Sequence, residues 1–142
     1  MNTSLPAPNR FWPFITITPL IVASDLFLQT HAALFSHPIY NSAAPQNKIV
    51  VPLALAGVAL IWLFDSGLAS VGFAFTMGGF LGNMLTRNFL GPVADYVSVP
   101  SWLQGGGWEF NLADTCLMIG LFLIILSLSR IWLGHDKRLT TI

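Results

Sequence analysis

Four apolar stretches, at 11–35, 49–64, 68–85 and 112–133, take up more than half of this chain. A helix crossing the hydrocarbon core needs about 20 residues, with about 17 as the lower end. By that measure the second stretch is short, and Trp62 is placed to sit at its interface with the headgroups. Hydrophobic residues make up 54% of the 142 positions and charged ones 8%, and the mean hydropathy is +0.70. That balance belongs to an integral membrane protein rather than to a water-soluble core. The expectation is an all-α polytopic membrane protein with four transmembrane helices, forming a single domain over residues 1–142.

The charge pattern sets the sidedness. Arg10, Arg130, Lys137 and Arg138 lie toward the two ends, while the longer loops hold only Lys48 and Arg87. Excess basic charge stays on the cytoplasmic side, which puts both termini in the cytoplasm and the long loops outside. Arg10 followed by an apolar run has the look of a signal peptide. That run continues to Phe35 and three more spans follow, so it is read as a retained helix. The formal net charge of zero offers no footing for a nucleic-acid partner. Cys116 is the one cysteine and cannot form an internal disulfide. His31, His37 and His135 are scattered, without the spacing of metal ligands.

Asp65-Ser66-Gly67 separates the second and third stretches and reads as a tight turn between antiparallel helices. The loop at 36–48 is rich in turn formers: Pro38, Asn41, Ser42, Pro45 and Asn47. The loop at 88–111 is more structured. A strand-like piece, Tyr96-Val97-Ser98-Val99, precedes Pro100 and a Gly105-Gly106-Gly107 run flanked by Trp102 and Trp108. Two readings stay open for it: a surface-lying lid hinged at the glycines, or a flexible connector with an aromatic belt.

Polar groups then collect where lipid is expected, in Gly82-Asn83-Met84-Leu85-Thr86-Arg87, Gly91-Pro92-Val93-Ala94-Asp95-Tyr96 and Phe110-Asn111-Leu112-Ala113-Asp114. Ionisable groups at membrane depth are costly unless paired, so the cluster marks a candidate site. Each member also has a plainer reading. Arg87 can snorkel to headgroups, Asp95 can be a solvated loop acid, and Asn111 with Asp114 can cap a helix. Asn83 and Arg87 are four apart and share a helix face, and Asp114 lies in a first turn where the helix dipole favours negative charge. If Asp95 and Asp114 meet, repulsion leaves one proton shared between them. That state hydrolyses peptides by water: one acid takes a proton from water while the other polarises the scissile carbonyl. Cys116 has no histidine base beside it and reads as packing.

Taken together, these three motifs resemble those of lipoprotein signal peptidases (signal peptidase II). Asn83 and Asp95 are 12 positions apart, and Asp95 and Asp114 are 19 apart, as the family's motifs require. The resemblance covers most of the chain and is strongest from Gly78 to Gly120. It implies an aspartic endopeptidase of the bacterial inner membrane, cutting prolipoproteins just before a diacylglyceryl-modified cysteine. Asp95 and Asp114 would be its catalytic pair, and Asn83, Arg87 and Asn111 would line the substrate site. It further implies a small extracytoplasmic β-cradle, a half-helix lid, surrounding membrane lipids, no metal or other cofactor, and inhibition by cyclic peptides such as globomycin.

Three positions depart from the family pattern. Asp25 is followed four residues later by Gln29, where the family has lysine. Without that partner Asp25 must either hold a proton or find another. Thr86 stands where an aspartate usually precedes the motif arginine, and Asn41-Ser42-Ala43-Ala44-Pro45 only echoes a first-loop motif. These changes leave a second reading open: a non-catalytic relative serving as an accessory subunit of a larger membrane complex. A small transporter or proton relay fits less well, because the acids cluster near one face instead of crossing the midplane.

Overall fold

A computed structural model of the chain describes residues 11–35, 37–42, 52, 54–57, 59, 67–99 and 108–139. Most of the second apolar stretch, the turn at 65–66 and the loop at 100–107 lie outside the described residues. So do the expectations placed on them: the short span, the tight turn and the glycine-hinged lid.

Three helices long and apolar enough to cross a membrane stand among the described residues. Helix α1 is Trp12–Thr30. Pro13 lies in its first turn, where a missing N–H costs nothing. Pro19 lies inside, and removes one backbone bond that a membrane helix can make good through its neighbours. Helix α2 is Gly67–Leu85 and runs on into one π-helical turn, Thr86–Leu90. That turn closes through the Gly91 N–H donating to the Thr86 carbonyl at 2.9 Å. Gly91 has φ 105°, a conformation that favours glycine, and the helix stops there. Helix α3, Leu112–Leu139, is longer than the apolar pattern that announced it. Its membrane-spanning part is Leu112–Arg130, and the more polar remainder simply continues the helix.

Helix α2 is the centre of the bundle and shows a small-residue stripe to each neighbour. Toward α1 it presents Ala74, Gly78 and Gly82. The Thr18 hydroxyl donates to the Ala74 carbonyl at 3.1 Å, Ile21 lies over Gly78 and Asp25 lies over Gly82. Toward α3 it presents Gly72 and Gly79, which meet Gly120, Leu117 and the Ala113 carbonyl. Lipid tails are as apolar as leucine, so helices gain little from burying apolar surface against each other and rely on close backbone approach instead. Phe73 and Met77 form the apolar centre with Phe14, Leu81 and Ile124. Ala54 from the second stretch packs on that cluster, and Gly57 leaves room for the Phe73 ring. Ile15, Leu20, Phe27, Met118, Phe122 and Ile125 face outward, as side chains in contact with lipid do.

Two short antiparallel ribbons sit at one end of the bundle. Strand β1 (Ile39–Asn41) pairs with β2 (Val93–Asp95), with Tyr40 opposite Ala94. Strand β3 (Val97–Ser98) pairs with β4 (Glu109–Phe110), with Val97 opposite Phe110. Tyr96 joins the two ribbons, and its ring stacks on Phe35 with centroids 4.4 Å apart. The architecture is that of an all-α membrane protein carrying a small β-cradle.

Candidate active site

The polar motifs meet where the π-helical turn, β2 and the start of α3 converge. Asn83 is buried in the last turn of α2, Asp95 ends β2, and Asn111 precedes α3. Asn111 is fully buried and Asp95 is 9% exposed. A continuous chain of hydrogen bonds links the two acids. Asn83 donates through Nδ2 to Asp114 Oδ1 at 2.7 Å. Asn111 donates through Nδ2 to Asn83 Oδ1 at 3.1 Å and to Asp95 Oδ1 at 2.8 Å. Two asparagines thus bridge two aspartates, each spending its amide donor on a carboxylate.

Asn111 also caps α3. Its Oδ1 accepts the Asp114 N–H at 2.8 Å, and Asp114 Oδ2 accepts the Asn111 N–H at 3.4 Å, the reciprocal pattern of a capping box. The plain reading of these residues and the chemical one therefore describe one geometry. The neighbouring N–H groups of the first turn are taken by other elements. Leu112 donates to the Tyr96 hydroxyl at 3.0 Å, and Ala113 donates to Asp25 Oδ1 at 3.2 Å. Side chains from α1, the cradle and α3 itself each satisfy one orphan donor, and this docks the helix end bearing Asp114. Tyr96→Phe removes one of these acceptors and leaves a half-buried N–H unpaired. It is expected to lower stability by about 1 kcal/mol, measured by unfolding in detergent.

Burial pushes the Asp95 carboxyl above its ordinary range. The hydrogen bond from Asn111 works against that, the negative charge of Asp114 adds to it, and Arg87 offsets it in part. Burial also raises Tyr96 above its usual value, so the hydroxyl stays neutral. Arg87 does not form an ion pair with either aspartate among the described residues. Its Nε is buried without a partner. With Phe80, Asn83, Met84, Asp114 and Leu117 it lines an open cleft of about 170 Å³. Asp95 is tied to that cleft through Asn111 and Asn83 and is not itself part of the lining. Among the described residues no three His, Cys, Asp or Glu side chains converge as a metal-binding group. Cys116 is buried two residues beyond Asp114.

The altered positions now have definite surroundings. Asp25 is fully buried and finds its partner in the Ala113 N–H, with Oδ2 left unpaired. Gln29 pairs twice with the backbone of Ala94. Thr86 is buried at the start of the π-helical turn, with its hydroxyl unpartnered. Asn41 ends β1 opposite Val93 and is exposed. Two contributors escaped the sequence reading, Tyr96 as a helix cap and Gln29 as a backbone partner. The available signal for Gln29 was its i, i+4 spacing from Asp25 on an apolar helix, which sets two polar groups on one face.

The family described as Signal peptidase (SPase) II matches residues 26–130. The lipoprotein signal peptidase of Serratia proteamaculans (strain 568) is 31% identical over 118 residues, covering 76% of this chain and 67% of that protein. That of Brucella ovis is 39% identical over 84 residues, covering 55% of this chain and 51% of the relative. That of Aeromonas hydrophila subsp. hydrophila is 32% identical over 81 residues, covering 54% and 48%. The matched part spans about half the length of the last two relatives and two thirds of the first. A bacterial membrane enzyme solved by the in meso method at 1.9 Å resolution shares the fold, with a TM-score of 0.66 at 20% identity over 80% of this chain and 90% of that one. With its family match running from α1 to the end of the spanning part of α3, this chain belongs to the signal peptidase II family.

Proposed function

We propose that this protein is an aspartic endopeptidase of the bacterial inner membrane that removes signal peptides from diacylglyceryl-modified prolipoproteins. The observation that carries this reading is the bridge from Asp114, which lines the cleft, through Asn83 and Asn111 to Asp95 behind it, which keeps the two acids in electrostatic reach. The names of the relatives supply the substrate class.

The environments of the two acids divide the labour. Asp95, whose carboxyl burial pushes above its ordinary range, acts as the acid and donates a proton from the oxygen that Asn111 leaves free toward the scissile carbonyl oxygen. Asp114 borders the cleft and takes a proton from water as the water oxygen bonds to the carbonyl carbon. The tetrahedral intermediate then collapses. Asp114 passes its proton to the leaving nitrogen as the C–N bond breaks, and Asp95 recovers a proton from the hydroxyl group. Asn83 and Asn111 hold both carboxyls in orientation throughout. Arg87 supplies a fixed positive charge at the same cleft for substrate carbonyl or headgroup oxygens. The basic residues toward the chain ends favour cytoplasmic termini and, with them, a site on the outer side.

The test is incubation of the purified chain with a diacylglyceryl-modified prolipoprotein and with its unmodified form. Cleavage of the first just before the lipidated cysteine is expected. A correctly folded protein that cuts neither would overturn the reading and favour an accessory subunit in a larger membrane complex.

A pH dependence follows from Asp95. Its pKa is raised on folding, so its contribution to stability is fully present below the unfolded value of about 3.8 and is lost as pH climbs through the folded value. Relative to Asp95→Asn, the native protein is therefore expected to lose stability as pH rises through that window and to level off above it. Turnover should fall on the same alkaline side, as Asp95 gives up the proton it donates. Unfolding curves and pH–rate profiles of the two proteins check both expectations.

A further inference from the structure

Among the described residues strand β2 has a strand neighbour on one side only, since its sheet is the pair β1 and β2. Its other edge is nevertheless buried, with Val93, Ala94 and Asp95 all shielded from solvent. A buried strand edge with unpaired N–H and C=O groups is costly. Here the carboxamide of Gln29 fills the role of the missing strand. The Ala94 N–H donates to Gln29 Oε1 at 2.8 Å, and Gln29 Nε2 donates to the Ala94 carbonyl at 3.1 Å. A carboxamide carries one donor face and one acceptor face, as a peptide unit does, and so matches the strand edge twice. An ammonium only donates and a carboxylate only accepts, so neither Lys nor Glu can make both bonds.

What the clamp holds is the residue immediately before Asp95. One turn earlier on α1, Asp25 holds the N–H of Ala113, the residue immediately before Asp114. One face of α1 therefore grips the two backbone segments that carry the two acids. Gln29 is itself 9% exposed and Asp25 fully buried, so neither grip competes with water. Building on the peptidase reading above, we propose that Gln29 is a positioning residue that sets Asp95 against Asp114 by clamping the backbone of Ala94. It does not line the cleft and acts through the strand it grips.

The experiment compares the full chain in lipid nanodiscs with Gln29→Met, which keeps the side-chain length and loses both bonds, and with Gln29→Glu, which keeps only the acceptor. Amide hydrogen exchange at Ala94 is expected to speed up by about tenfold or more in Gln29→Met, with a smaller change in Gln29→Glu. On a diacylglyceryl-modified prolipoprotein, kcat is expected to fall by about 10–100-fold in Gln29→Met with KM nearly unchanged, and the pH–rate profile to shift. Unchanged exchange at Ala94 overturns the clamp. Faster exchange with an unchanged kcat and pH profile overturns the positioning role. If the native chain shows no turnover, the peptidase reading fails on its own. The titration of Asp95, followed by carboxyl NMR, then decides the clamp: a shift in Gln29→Met supports it and an unmoved titration overturns it.

Discussion

Asp95→Asn and Asp114→Asn are each expected to reduce cleavage of a diacylglyceryl-modified prolipoprotein by about 10²–10⁴-fold, the usual worth of a positioned acid or base. The two substitutions should differ in every other respect. At Asp95 the amide oxygen still accepts from Asn111, and a carboxyl disfavoured by burial becomes a neutral group. Stability at neutral pH should rise or stay level. At Asp114 an amide keeps the bond from Asn83 but turns a donor toward the Asn111 N–H, and it removes a negative charge from the first turn of α3. The cap should weaken by about 0.5–1 kcal/mol. Initial rates, read beside unfolding curves of the same preparations, separate chemistry from folding. Full turnover in either variant would remove that carboxyl from the mechanism.

Gly79→Ala should be a strongly damaging small substitution in the bundle. A methyl group there collides with the Ala113 carbonyl and lies 3.0 Å from Leu117, so α3 must move away from α2. Overpacking of this kind costs about 1–3 kcal/mol. The displaced turn is the one that carries Asp114 and receives the grip of Asp25. Turnover should therefore fall even where the protein remains folded. Gly67→Ala is the control, because nothing among the described residues lies within 4 Å of the added atom. Thermal unfolding and cleavage rates of both variants check the claim. Equal behaviour of the two would mean that α2 and α3 are not in backbone contact at this level.

Much of this arrangement could be read along the chain because the physics behind it is local. Long apolar stretches with few charges specify spanning helices, since lipid offers no partner for exposed backbone. The pairing of Asn111 with Asp114 is likewise local, three residues apart at the start of a helix, and the capping box follows from that spacing alone. The three polar motifs were enough to suggest the family, and the comparison with known proteins places the chain there. Gln29 was different. Along the sequence it was a lysine lost from a charge pair. In the structure it is a two-bond partner of a residue 65 positions away. Its spacing from Asp25 sets it on a shared polar face but does not name the partner, because side-chain-to-backbone pairing depends on which strand the fold sets beside the helix. Asp25 is the same kind of case, with its partner 88 positions along.

The sequence by itself determined the solvent this chain folds in, the helices that cross it and the polar residues withheld from lipid. Those follow from transfer free energies and short-range spacing, which act before any tertiary contact exists. Only the tertiary structure decided which backbone amides Asp25 and Gln29 hold, that Tyr96 caps α3, and that two asparagines bridge the two acids. Each of those contacts joins separate segments across glycine-lined helix interfaces and a two-stranded ribbon, so its geometry exists only once all of them have packed.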